Sequence, residues 1–173
     1  LFAAAQALSA NVRPRGDRLA VITNGGGPGV IAADRAGDLG IPLAELSGAT
    51  IEALKKVLPS NWSQGNPVDV IGDAGAERYR GALTACLADP GVDGVLVILA
   101  PQAMTAPLDV ARAVIECAKK SDKPLLTCWM GEEQVAKARR LLAAHGIPTL
   151  PTPDPAIEVF AHVSAFHRNQ KLL

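Results

Sequence analysis

Short apolar runs alternate with longer helical stretches along this chain, and that alternation restricts the fold more than any other feature. Residues 94–99, Gly-Val-Leu-Val-Ile-Leu, are apolar on both faces, as central strands of a parallel sheet are. Further strands are expected over 18–23, 66–71, 124–129 and 147–150, with a short edge strand at 41–43, where Pro42 is tolerated. Helices are expected over 1–10, 29–39, 47–58, 76–87, 106–120, 132–145 and 155–172. Strands alternating with helices of this length make an α/β fold, a doubly wound parallel sheet in three α/β/α layers. Right-handed crossovers put helices on both faces. Five main strands fit the flavodoxin-like order, in which ligands sit at the carboxyl ends of the strands, near the switch point beside the first. Loops 23–29, 72–75 and 100–106 fall on that edge.

The first strand runs into Asn24-Gly25-Gly26-Gly27-Pro28-Gly29-Val30. Glycines let the backbone approach another group closely. Pro28 suits the first turn of a helix, where its missing N–H would have had no partner. Strand, glycine turn and helix start together aim free N–H groups and the positive end of a helix dipole at one point, which suits phosphate or another anion. The spacing is neither GxGxxG, since Val30 stands where a third glycine is needed, nor a P-loop, since no Gly-Lys-Ser/Thr follows. Tight strand-to-helix turns also use glycine purely for packing, so an anion site and a structural turn both remain open.

Asn66, Asp69 and Asp73 surround a strand that ends at the ligand edge. They could orient a loop or a metal-bound phosphate, or simply form Asx turns with nearby N–H groups. Glu77, Arg78 and Tyr79 open the next helix and could face a partner. His145 before Gly146 reads as a helix C-cap. His162 and His167 are five apart and share no face, while Glu158 and His162 have i, i+4 spacing but make only two ligands. Glu132 and Glu133 complement a helix dipole, and Lys137, Arg139 and Arg140 read as ordinary exposed positions. No Ser/His/Asp or Cys/His arrangement is legible, and no metal site is expected.

At 173 residues the chain fits one domain with a proper core. Its 17 basic and 17 acidic residues cancel, which argues against nucleic-acid binding. No apolar run approaches the ~20 residues of a membrane span, and no basic leader precedes a cleavage-type site. Cys86, Cys117 and Cys128 have neither zinc nor disulfide spacing; they read as core residues in a reducing cytoplasm. The chain opens on Leu1-Phe2 without Met, as a piece of a longer polypeptide would.

Residues 15–30, from Arg15 through the glycine turn to Val30, and 66–74, Asn-Pro-Val-Asp-Val-Ile-Gly-Asp-Ala, resemble the NDP-forming acyl-CoA synthetases. These form the superfamily of ADP-forming acetate–CoA ligase and succinyl-CoA synthetase. Residues 128–131, 146–148 and 153–157 are similar to that family as well. The resemblance implies that 1–17 are a helix and linker from a preceding domain and that 18–173 are the second flavodoxin-like (ligase-CoA) domain. It also implies a CoA-binding Rossmann domain and a histidine-bearing flavodoxin-like domain upstream, with an ATP-grasp unit downstream. CoA, ATP or ADP, phosphate and Mg belong to the parent enzyme, and none is expected on this domain alone.

In the family a phosphohistidine lies between two helix N-termini, one from each flavodoxin-like domain. By resemblance Asn24, Gly25, Gly26, Gly27, Gly29 and Val30 are the phosphate-binding residues, and Asn66, Asp69 and Asp73 shape the neighbouring loop. The family's histidine has a Ser-His-Thr-Gly-like context that His145, His162 and His167 lack, so this chain is expected to be inactive alone. The same module occurs in lysine acetyltransferases fused to a GNAT domain, and residues 166–173 resemble its end there. The alternative function is therefore a non-catalytic acyl-CoA-sensing module.

Overall fold

A computed structural model describes residues 14–170. The helix expected over 1–10 lies outside them. The elements are β1 (Leu19–Thr23), α1 (Gly26–Asp38), α2 (Gly48–Val57), β2 (Val68–Asp69), α3 (Ala76–Ala88) and β3 (Gly94–Leu99). They continue with α4 (Pro107–Ala118), β4 (Leu125–Trp129), α5 (Glu133–Ala144), β5 (Thr149–Leu150) and α6 (Pro153–Gln170). Five parallel strands form one sheet in the order β2-β1-β3-β4-β5, the flavodoxin-like order. Among the described residues, no helix is long and apolar enough to cross a membrane.

Successive side chains of a strand point to opposite faces, and both faces here are apolar. Ala20, Ile22, Val95, Val97, Leu99 and Trp129 pack with α2, α3, α4 and α5. Leu19, Val21, Leu96, Ile98, Leu126 and Cys128 pack with α1 and α6. All six residues of β3 are buried, and its span is the one expected. Gly94 opens that strand because nothing larger fits: a Cβ there would stand 2.5 Å from Cε2 of Phe160 on α6.

The edge beside β1 departs from expectation. Residues 66–71 do not make a full strand; only Val68 and Asp69 pair, with Ile22 and Thr23. Pro67 has no N–H to donate, and it follows Asn66 through a cis peptide bond. The Asn66 carboxamide replaces the missing rungs. Its Oδ1 accepts from the Val21 N–H at 2.9 Å, and its Nδ2 donates to the carbonyls of Leu19 and Ala44. The expected strand at 41–43 is likewise only a single bridge, Leu43 to Leu19. At the far edge β5 shrinks to Thr149 and Leu150.

Helix ends follow local chemistry. Ser47 caps α2 by accepting from the Thr50 N–H, and Gly40 and Gly146 leave α1 and α5 through positive φ. Helix α1 starts at Gly26 rather than 29, and α6 at Pro153 rather than 155. At the amino edge Arg18 meets Asp93 with Nε on Oδ2 at 2.7 Å and Nη2 on Oδ1 at 3.0 Å. The Arg18 hydrogen bond holds the Asp93 carboxyl below its usual range, with burial opposing it.

Gly94→Ala is expected to cost about 1–3 kcal/mol by overpacking against Phe160, read by urea unfolding. Asp93→Asn should cost about 1–2 kcal/mol at neutral pH, allowing for the half-exposed arginine. Because the Asp93 carboxyl is depressed in the fold, its contribution is full above the unfolded pKa. It fades as pH falls through the lower folded value, so unfolding curves of wild type and variant should converge in acid.

Candidate functional site at the carboxyl edge

The chains leaving β1 and β3 go to opposite faces, β1 to α1 and β3 to α4, which makes this edge the switch point. Asn24 sits in that crevice, buried. Its Nδ2 donates to the Ala100 carbonyl and its Oδ1 accepts from the Ala100 N–H, both at 2.8 Å. Its side chain is thus spent on the end of β3 and positions the turn rather than facing outward. Gly25 donates to Thr23 Oγ1 at 3.1 Å, and Gly29 closes the first helical turn onto the Gly25 carbonyl at 3.2 Å. That leaves Gly26 and Gly27, the first two helical residues, whose N–H groups have no carbonyl a turn earlier in the helix.

The glycines divide by what surrounds them. A Cβ on Gly29 would stand 3.0 Å from Thr23 Cγ2, so this glycine serves close helix–strand packing. Among the described residues, Gly27 has nothing within 4 Å of a Cβ, and Gly26 has only Asp69 Oδ2 at 3.9 Å. Packing explains Gly29 and leaves Gly26 and Gly27 open to an incoming group. The adjoining surface is apolar, with Val30 59% exposed, Ile31 43% and, on loop 100–106, Met104 74%.

The second loop is built by the expected carboxylates. Asp69 Oδ1 accepts from the Ile71 N–H at 2.8 Å. Asp73 Oδ1 meets Arg78 Nη1 at 2.5 Å, and that hydrogen bond holds the Asp73 carboxyl low. The same Nη1 donates to the Val70 carbonyl at 3.0 Å. Of the three residues expected to face a partner, only Glu77 is fully exposed. Tyr79 is buried and donates to the Ile98 carbonyl at 2.9 Å; burial pushes its phenol well up, with Asp69's charge adding. Its spacing to Ala82, Leu83 and Cys86 carried that signal in the sequence, since all four line the buried stripe of α3.

The remaining candidates lie elsewhere. His145 is the C-cap of α5, its Nδ1 against the Leu141 carbonyl. His162 Nδ1 lies 2.6 Å from the Glu158 carbonyl, while the Glu158 carboxylate pairs with Arg35 at 2.5 Å. His167 stacks edge-on against Phe166 near the end of α6. Arg139 is not a plain surface residue: its Nε donates to the Trp129 carbonyl at 2.9 Å, finishing β4. All three cysteines are buried, and burial pushes the Cys86 and Cys128 thiols up to about 12. Among the described residues no three His, Cys, Asp or Glu side chains gather to hold a metal ion. A groove of about 990 Å³ lies apart from the glycine turn, between α2 and α3, lined by Ala53, Val57, Gly81 and Ala85.

The molecule is a flavodoxin-like α/β domain with an open, glycine-lined helix start at its switch point. A family model described as the ligase-CoA domain matches residues 19–171, and the chain belongs to that family. Acetate–CoA ligase (ADP-forming) I of Archaeoglobus fulgidus is 39% identical over 150 residues, covering 87% of this chain and 21% of that protein. The alpha subunit of acetate–CoA ligase (ADP-forming) II of Pyrococcus furiosus is 37% identical over 145 residues, 82% of this chain and 32% of that subunit. The chain therefore spans a fifth to a third of these relatives.

Among solved structures, the apo form of dinucleotide-forming acetyl-coenzyme A synthetase 1 from Ca. Korarchaeum cryptofilum superposes with a TM-score of 0.92 at 34% identity. That match covers 98% of this chain and 38% of the other. The same protein in complex with phosphate and ADP gives 0.86 at 33% identity. The acetyltransferase alternative gains no support from these ligase and synthetase relatives.

Asn24→Ala should lose about 2–3 kcal/mol in urea unfolding, because two backbone groups of Ala100 are left without partners.

Proposed function

We propose that this chain is the ligase-CoA domain of an ADP-forming acyl-CoA synthetase, lending a helix N-terminus to a phosphohistidine carried by another domain. The implied reaction converts acyl-CoA, ADP and phosphate into acid, CoA and ATP, reversibly. The observation that carries the reading is the open space at Gly27. Glycine in the first turn weakens a helix, and no neighbour among the described residues requires it there. A group from outside that must touch the backbone does require it.

The amides of Gly26 and Gly27 and the α1 dipole would stabilise phosphoryl charge by standing ready in place, without moving a proton. Exposed Val30, Ile31 and Met104 suit a covering domain that keeps water from the intermediate. The nucleophile, CoA and the nucleotide with its magnesium would be held by the Rossmann, histidine-bearing and ATP-grasp domains that the relatives' greater length leaves room for. The three unpaired cysteines suit a cytoplasmic setting.

Gly27→Ala in the full-length protein separates binding from folding. With acetyl-CoA and labelled phosphate, the acid-labile phosphoenzyme should form at least ~10-fold more slowly, because the added Cβ keeps the phosphoryl group off the Gly27 N–H, and loss of one such contact costs about 10²–10³ in rate. The melting temperature should hold or rise, because alanine favours the helix by about 1 kcal/mol. Labelling at the wild-type rate would remove the amides from the reaction.

A further inference from the structure

One residue at this edge has a backbone that its side chain resists. Ile71 has φ of 71°, a left-handed conformation that is a true outlier for a β-branched residue. Glycines stand at 72 and 75, yet the reversal falls on isoleucine. Such a conformation persists only where its surroundings over-determine it, and such residues cluster at functional sites.

The surroundings are explicit. Val70, just before it, donates its N–H to the Thr23 carbonyl at 2.8 Å and accepts from Arg78 at 3.0 Å. The Ile71 carbonyl accepts from the Ala74 N–H at 3.0 Å. The Ile71 N–H itself is held by Asp69 Oδ1 at 2.8 Å. The turn seats Gly72 close to the first site loop: a Cβ there would lie 3.8 Å from the Asn24 carbonyl oxygen and 3.9 Å from Gln102 Cγ. Asn24 is in turn tied to Ala100, so three loops of the edge bear on one another.

We propose that Asp69 is a positioning residue whose Oδ1 locks Ile71 in its left-handed turn, seats Gly72 against Asn24, and so fixes the Gly26 and Gly27 amides. Through those amides the inference rests on the function proposed above. Releasing the lock lets the turn relax toward an ordinary conformation and moves the donors off the position of the phosphoryl oxygens. Small displacements of preorganised groups are costly in rate.

The test uses three variants of the full-length protein. Asp69→Ala removes the lock and should slow phosphoenzyme formation from acetyl-CoA and phosphate at least ~10-fold. Its melting temperature should change little, because the lost hydrogen bond is offset by released strain. Asp69→Asn keeps the acceptor and should restore the rate. Adding Ile71→Gly to Asp69→Ala should recover most of the loss, because glycine holds a left-handed turn without help.

Amide exchange at Ala74 reads the same turn without any chemistry, and should be fast in Asp69→Ala and slow in the other two. If Asp69→Asn is as slow in phosphoenzyme formation as Asp69→Ala, the charge matters and the lock is wrong. No recovery on adding glycine overturns the proposal too. A wild-type protein that forms no phosphoenzyme removes the phosphohistidine role, while the Ala74 pattern still decides the lock on its own.

Discussion

Where two parallel strands stop pairing and their chains turn to opposite faces of a sheet, backbone groups lose their partners together. The carboxamide of Asn24 fills that gap between β1 and β3, donating to and accepting from the same residue, Ala100. It acts as one more rung placed beyond the end of the ladder. The glycine turn then leaves β1 from a fixed point, and loop 100–106 leaves β3 from another. The opening between them, which the topology demands, keeps a defined width. Asn66 does similar work lower on β1, where its side chain substitutes for a strand that Pro67 interrupts. The sheet is thus finished at two places by asparagine side chains rather than by backbone.

Much of this was legible in the residues, and the failures have physical causes. β3 is legible to the residue because every position in it is apolar. The start of α1 lies three residues before its expected place, since glycine is a weak helix former and hides a helix that begins in it. β2 is shorter than expected because periodicity cannot show that Asn66 pairs through its side chain. Arg78 and Tyr79 stand where they could face a partner, although the helical spacing of Tyr79 with Leu83 and Cys86 marks the buried side. The left-handed turn at Ile71 had no signal, because isoleucine is among the last residues expected there. The resemblance marks the glycine turn as the candidate site, and the structure divides its glycines into one that packs and two that stay open.

The formal charge of zero conceals a division of labour. Arg18 and Asp93 fasten the amino edge, Arg35 and Glu158 join α1 to α6, and Arg78 and Asp73 brace the loop after β2. None of these pairs joins the turn that opens α1, where dipole and backbone supply the positive potential. A potential built from backbone cannot be titrated away across the physiological range. The thiols are equally withdrawn, since burial keeps Cys86 and Cys128 protonated and poor nucleophiles.

The helix start has a dynamic consequence. Gly26 and Gly27 bring no side chain to hold their turn in place, and Pro28 contributes no N–H. Ordering that turn costs more backbone entropy than an alanine start would, and the cost falls on folding, because the helix is already formed from Gly26. In the proposed role, an arriving anion would then meet a turn already shaped, and none of its attraction would go into stiffening the host.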